Sequence, residues 1–375
     1  MKKKKPIIYI LIAIAIFAIF YVTLPRHIVR YFIWNYADIN DDRKFDKLEV
    51  KKGKTSFYFN KVSINTRFKI PEKNSGNDRY ESFDQFLEEK GTVAFLVVKN
   101  DTLIYENYFE GYDSSSIIPS FSVSKSFVSA LVGIAISEGY IYSTGQSITF
   151  FLKELGPEFD KITIGDLLNM RSGIKFNEGY NSPFADMAKY YYGTDLKRYI
   201  KELTINEPPD QTYDYISVNT LLLGLIVERA TNTKLTKYLE QKIWQPLQME
   251  SDASWSIDSE KNQTEKAFCC INAVARDFAK FGLLYLKEGN WNGNQVVPKK
   301  WVKKSISIIN DSRDSQGYPY TCQWRVLENG TFFAKGILGQ YIIVYPAKNL
   351  VFVRLGKRYA DVDWADFCLD LSTQL

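Results

Sequence analysis

Ser120-Phe-Ser-Val-Ser-Lys-Ser-Phe127, continued by Val-Ser-Ala-Leu-Val-Gly-Ile-Ala-Ile136, sets Ser122 three residues before Lys125 at the head of an apolar run. At that spacing on a helix the two side chains share a face and lie within reach of each other. An uncharged lysine can take the serine proton, and burial or positive neighbours lower a lysine's pKa enough for that. A serine at a helix N-terminus also meets free backbone N–H groups and the positive end of the dipole, which favour a developing oxyanion. The bare pattern is common. Ser172-Gly173-Ile174-Lys175 repeats it, and there a glycine following a helical stretch reads as a turn. For Ser122 the plain alternative is an N-cap serine.

Histidine narrows the chemistry. The chain has one, His27, close to the N-terminus. A Ser-His-Asp triad or a Cys-His pair inside the main domain is therefore excluded, as is histidine-ligated zinc. No G-x-S-x-G elbow occurs either. A serine hydrolase built on this chain needs lysine or tyrosine as its base, and a second polar group to pass protons to the leaving group. Tyr215 and Ser217, in Y-D-Y-I-S-V-N just before a helical pattern, are spaced to face one cleft. Otherwise they are core and capping residues. In A-K-G-I-L-G-Q-Y, Gly336 and Gly339 flank Ile337 near a strand edge, where glycine marks a close backbone approach or a bulge.

Outward from these positions the pattern is strands at both ends and helices between. Val93–Val98, the turn Lys99-Asn100-Asp101 and T-L-I-Y-E-N-Y-F predict a hairpin. Helices are predicted over Ser122–Glu138 with a stop at Gly139, over Ser217–Ala230, and over Ala273–Lys287 before Gly289. C-Q-W-R-V-L, T-F-F-A-K, Q-Y-I-I-V-Y and L-V-F-V-R-L return to strands, and Trp364–Leu371 closes as a helix. An N-terminal hairpin and the C-terminal strands in one antiparallel sheet, covered by helices, make an α+β architecture.

In this order the elements resemble the serine β-lactamase and penicillin-binding family, nearest to class C β-lactamases, their esterase relatives and 6-aminohexanoate-dimer hydrolases. The resemblance spans about residues 90 to 360. It rests on S-V-S-K-S-F, I-T-I-G-D-L-L-N-M-R-S-G-I, Y-I-S-V-N-T-L-L-L-G, P-L-Q-M-E, A-R-D-F-A-K-F-G and A-K-G-I-L-G-Q-Y-I-I-V-Y-P. It implies a β-lactamase/transpeptidase-like antiparallel sheet flanked by helices, with a mainly helical inserted region. It also implies Ser122 as nucleophile, Lys125 as general base, Tyr215 as proton relay, and backbone N–H groups of Ser122 and Ile337 as the oxyanion hole. Ser217 stands where the family usually has asparagine, and Ala334-Lys335-Gly336 where it has K-T-G or H-T-G. Strand alternation turns the Lys335 ammonium away from the cleft. That favours short esters or uncharged amides over penicillins and cephalosporins. The enzymatic alternatives are a β-lactamase or a D-Ala-D-Ala-type peptidase. The non-enzymatic one is a β-lactam sensor that acylates without deacylating.

Composition agrees with a globular domain: 45% of the 375 residues are apolar and 24% charged. Net charge is +5, but six of the 48 basic side chains precede residue 31 without an acidic neighbour, and the remaining 42 face 43 acidic ones. A nucleic-acid footprint is not expected. Residues 6–25 are uncharged and nearly all apolar, about 30 Å as a helix, behind the Lys2–Lys5 cluster. They predict a transmembrane anchor with a cytoplasmic N-terminus, the rival being a cleaved signal peptide. The only A-x-A of the N-terminal segment, Ala13-Ile14-Ala15, lies inside the run. The expected division is an anchor at 1–25, a membrane-proximal segment at 26–85 and the hydrolase domain at 86–375, with that domain on the periplasmic or extracellular side. Cys269, Cys270, Cys322 and Cys368 show no disulfide framework or metal-ligand spacing, and most are expected to be packed thiols. No metal or cofactor is implied, and the expected partner is a small ester, amide or peptide.

Overall fold

The computed structural model describes Tyr9, Tyr21 and residues 23–62, 65–75, 80–309 and 311–375. Among these residues eight strands form the principal sheet. In chain order they are β1 (Asn60–Lys61), β2 (Thr92–Lys99), β3 (Thr102–Tyr108), β4 (Tyr320–Thr321), β5 (Trp324–Val326), β6 (Phe332–Gly336), β7 (Gln340–Tyr345) and β8 (Leu350–Gly356). They lie side by side as β4-β5-β6-β7-β8-β2-β3-β1. The hairpin near the chain start joins the last strand, with Val98 opposite Val351 and Leu96 opposite Val353. The predicted sheet from both chain ends therefore forms. It is larger than expected, and β1 runs parallel to β3.

The unbroken apolar run Val93–Val98 follows from burial on both faces of the sheet. Leu96 and Val98 enter one core, while Phe95 and Val97 enter the other. The first core is shared with three helices: α1 (Ser124–Ser137), α2 (Ser217–Thr231) and α3 (Ala275–Leu286). Helix α3 lies on the sheet so closely that a Cβ on Gly282 would come within 2.6 Å of Val351 and 2.8 Å of Ile342. Phe127 of α1 stacks on Phe281 of α3 at 3.6 Å, and each fully buried ring contributes about 1.5–3 kcal/mol. That stack ties the helix bearing Lys125 to the sheet.

Two helices begin later than the apolar pattern suggests. Residues Phe121–Val123 form a 3₁₀ turn before α1. Ala273, expected to open α3, instead ends the strand Ile271–Ala273, which lies between Ala253–Ser256 and Ile118–Pro119 in a second sheet completed by Lys47–Val50. Periodicity cannot separate a short apolar strand from the helix that follows it. Gly139 and Gly289 take positive φ where the helices were expected to stop.

Residues before 86 enter both sheets, through Lys47–Val50 and β1. The helix Arg26–Trp34 packs on the helix Asp186–Tyr192, with an Arg30 guanidinium N–H donating to the Tyr192 carbonyl at 3.2 Å. The anchor proposed from the sequence falls almost wholly outside the described residues. Among the described residues no helix is long and apolar enough to cross a membrane.

The expectation that most of the four cysteines are packed thiols holds for two and is corrected at one pair. Cys269 and Cys270 are joined by a disulfide, while Cys322 and Cys368 are free and buried. Cys270 takes φ +75°; this left-handed turn between adjacent residues leaves no trace in cysteine spacing.

The second S-x-x-K, expected as a turn, is a non-helical loop in which Ile174 bridges Ile205. The buried Ser172 hydroxyl donates to Asn219 Oδ1 at 2.7 Å, and Lys175 is exposed. Gly173 has φ +68°, and a Cβ there would meet the Glu207 carbonyl oxygen at 2.1 Å. Gly111 has φ +80° with nothing within 4 Å. Gly173→Ala is therefore expected to cost at least the ~1–3 kcal/mol of a strained backbone residue, and more than Gly111→Ala. Denaturant midpoints of the two variants check this; equal losses would contradict it.

Candidate active site

The nucleophile candidate sits in a turn stitched to the second sheet. The Ser120 backbone N–H donates to the Ile271 carbonyl at 2.8 Å, and the Ile271 N–H donates to Ser120 Oγ at 3.1 Å. This fixes the turn Phe121–Val123 and delivers Ser122 to the head of α1.

One helical turn on, Lys125 is 1% exposed. Its Nζ donates to Ser122 Oγ at 3.0 Å, Ser217 Oγ at 3.2 Å and the Phe268 carbonyl at 2.7 Å. An ammonium has three protons, and each has an oxygen. The Tyr215 ring centroid lies 5.1 Å from the same nitrogen, within cation–π range. Ser217 is buried at the first residue of α2. Its backbone N–H donates to Glu178 Oε2 at 2.7 Å and its hydroxyl to Glu178 Oε1 at 2.6 Å.

The third predicted element arrives from the sheet. Gly336 ends β6, and a Cβ there would fall 2.6 Å from the Ser120 carbonyl and 3.1 Å from the Ser122 nitrogen. The strand can pass the nucleophile turn only as glycine. Ile337 follows in a short turn held by Leu338 at φ +64°, and it lines the space in front of Ser122. Arg354, buried beneath this turn, donates to the carbonyls of Leu338 at 3.2 Å and Gly339 at 2.7 Å. All six residues singled out in the sequence (Ser122, Lys125, Tyr215, Ser217, Gly336 and Ile337) thus converge on one place.

Ser122 stands where two spaces meet. One is an apolar cavity of about 170 Å³ walled by aromatic rings, among them Tyr191, Tyr192, Phe268 and Tyr359, with Cys269 and Met187. Tyr36, from the segment before residue 86, also lines it. The other is a polar cleft bordered by Tyr215, Glu178, Arg325 and Lys335. This corrects the expectation for Lys335. Alternation holds, but it is Ala334 that turns into the core, at 1% exposed, while Lys335 borders the cleft. There it hydrogen-bonds Gln316 and lies 5.4 Å from the Tyr359 ring centroid. Burial, with Arg325 nearby, pulls its ammonium down to about 8. Arg325 itself is paired with Asp314 at 2.5 Å.

Sequence reasoning missed Glu178, Arg325 and the cavity's aromatic wall. Glu178 sits in F-N-E-G-Y, a stretch with no period. Nothing local marks its carboxylate as a partner of a serine 39 residues on.

A helix-headed Ser-x-x-Lys beside the end of an antiparallel sheet, with its ammonium enclosed, defines a serine hydrolase of the penicillin-recognising type. The chain belongs to the Beta-lactamase family, whose sequence profile matches residues 82–364. It is similar to the 6-aminohexanoate-dimer hydrolase of Paenarthrobacter ureafaciens, 29% identical over 305 residues that cover 74% of this chain and 75% of that one. Among solved structures, a 6-aminohexanoate-dimer hydrolase candidate from Bacillus anthracis superposes with a TM-score of 0.81 at 24% identity, over 92% of this chain and 94% of that one. A class C β-lactamase mutant gives 0.61 at 15% identity, over 78% and 95%. These structural likenesses bear on the fold.

Proposed function

We propose that this chain cleaves esters or amides through an acyl-enzyme on Ser122. The observation that carries this is the enclosed Lys125 Nζ, 3.0 Å from Ser122 Oγ. As a neutral amine Lys125 takes the hydroxyl proton while Ser122 attacks the substrate carbonyl. Backbone N–H groups of Ser122 and Ile337 receive the oxyanion. Tyr215, across the cleft, passes a proton to the leaving group, and water then releases the acyl group.

Two observations bear on substrate. The apolar cavity beside Ser122 suits a hydrocarbon segment on one side of the scissile bond. This accords with a relative named for hydrolysing a dimer of 6-aminohexanoate. Lys335 in the polar cleft removes the physical ground for expecting β-lactams to be poor substrates. It is the observation that favours a second reading, a carboxylate-bearing substrate such as a β-lactam or a peptide C-terminus.

A fluorophosphonate probe is expected to label Ser122, and Ser122→Ala to abolish labelling; label persisting on the Ala variant rejects the assignment. Lys125→Ala and Tyr215→Phe should each lower turnover by about 10²-fold or more with the fold intact. A near-normal rate in either removes that residue from the mechanism.

The cavity makes a separate demand. Each methylene transferred from water into an apolar site contributes about 0.8 kcal/mol. The step from p-nitrophenyl acetate to butyrate should therefore raise kcat/KM by roughly 15-fold. A flat or falling series would mean that the cavity does not receive the acyl chain.

We further propose that residues 6–25 anchor the chain, with the hydrolase domain outside the cytoplasm. Protease added to intact spheroplasts should digest the domain, and carbonate washing should leave it on the membrane. A soluble form starting near residue 25 would indicate a cleaved signal peptide instead.

A further inference from the structure

Lys125 must be neutral to accept a proton from Ser122, yet all three of its N–H positions are taken by oxygens. Something must receive the extra proton.

We propose that Glu178, acting through the Ser217 hydroxyl, takes that proton and so sets Lys125 as a neutral base. Glu178 is on this view a positioning residue for the reaction at Ser122. The inference rests on the reading of Lys125 as base.

The path is continuous. Lys125 Nζ donates to Ser217 Oγ at 3.2 Å, and Ser217 Oγ donates to Glu178 Oε1 at 2.6 Å. In the transfer an N–H bond of Lys125 breaks as an O–H bond forms on Ser217. The proton Ser217 already carried passes to Glu178 Oε1. One ammonium and one carboxylate become one amine and one carboxylic acid, with no change in net charge. The lone pair left on Nζ then accepts the Ser122 proton, and the reverse shift restores the pair after deacylation. A hydroxyl suits this position because it accepts and donates at once. The asparagine usual in the family would offer a carbonyl and an N–H on separate atoms.

The surroundings of Glu178 favour the exchange. Burial raises its carboxyl above the usual carboxylate range, partly offset by Lys125, by the two hydrogen bonds from Ser217 and by that from Tyr180. The Tyr180 hydroxyl donates to Oε1 at 2.8 Å. Other charged groups bordering the cleft are Asp214, Asp314, Arg313, Arg325 and Lys335. Neutralising two buried charges together also removes the desolvation cost of both.

A merely structural Glu178 would cap α2 through the Ser217 N–H, so the test must separate capping from proton transfer. The readout is the pH profile of kcat/KM for p-nitrophenyl butyrate on the full chain. In the unmodified protein the pair shares one proton over a broad neutral range. The neutral-lysine fraction, and hence the rate, is expected to be flat there. In Glu178→Gln the proton must leave to solvent, so the rate should climb about tenfold per pH unit across that range. It should lie roughly 10²-fold low at neutral pH and approach the unmodified rate in alkali. Glu178→Asp should restore at least part of the plateau. Glu178→Ala also removes the proton acceptor and should give the same sloping profile even if Glu178→Gln does not fold, whereas Ser217→Ala, in which the proton still equilibrates with Glu178 through solvent, should keep the flat shape at a lowered rate. Profiles that keep their flat shape in both Glu178→Gln and Glu178→Ala, whether at full rate or uniformly lowered, overturn the relay. If Lys125→Ala is inactive in the same assay, only the relay falls. If Lys125→Ala retains its rate, the base reading itself falls.

Discussion

The amino group of Lys125 is almost wholly removed from water, and such a polar group is tolerated only where hydrogen bonds replace its hydration. Three chain segments supply them: the turn before α1 through Ser122, the start of α2 through Ser217, and the loop before Ile271 through the Phe268 carbonyl. Each must hold position to a fraction of an ångström, so the surrounding packing can be understood as the frame for this one nitrogen. Phe127 stacked on Phe281 fixes α1 to the sheet-bound helix α3. The Ser120–Ile271 hydrogen bonds fix the nucleophile turn.

The sheet contributes the other half. Strand β6 reaches the nucleophile turn so closely that only Gly336 fits. Beyond it Arg354 holds the Leu338 and Gly339 carbonyls from beneath, with its guanidinium 3.9 Å from the Trp364 ring centroid. A charge buried under the strand end thereby braces the backbone that carries Ile337. The result is a serine between an aromatic cavity and a polar cleft that bears charges of both signs, an arrangement suited to a substrate with chemically different ends.

Much of this frame was legible in the sequence, for definite reasons. Ser122 and Lys125 are one helical turn apart, so their meeting needs only a helix. The hairpin and the C-terminal strands carry long apolar runs bounded by turn residues, and the single histidine removes the commonest serine-hydrolase chemistry by itself. What could not be read depends on contacts between distant segments or on unusual backbone. The carboxylate of Glu178 meets Ser217 only through the fold. Lys335 reaches the cleft because its face of β6 opens there, and alternation fixes relative but not absolute facing. The Cys269–Cys270 bond needs a left-handed residue within a buried turn. Lys47–Val50 is too short and too polar to announce the strand it forms, since pairing with Ala253–Ser256 rather than its own pattern makes it one.

The central claim, that Ser122 forms a covalent acyl intermediate, is tested most directly by rapid quench of the protein with excess p-nitrophenyl butyrate, followed by intact-mass and peptide mass spectrometry. The account predicts a burst of p-nitrophenol close to one equivalent per site and a butyryl adduct confined to the peptide bearing Ser122. Turnover without a covalent adduct, or an adduct on another residue, would contradict it.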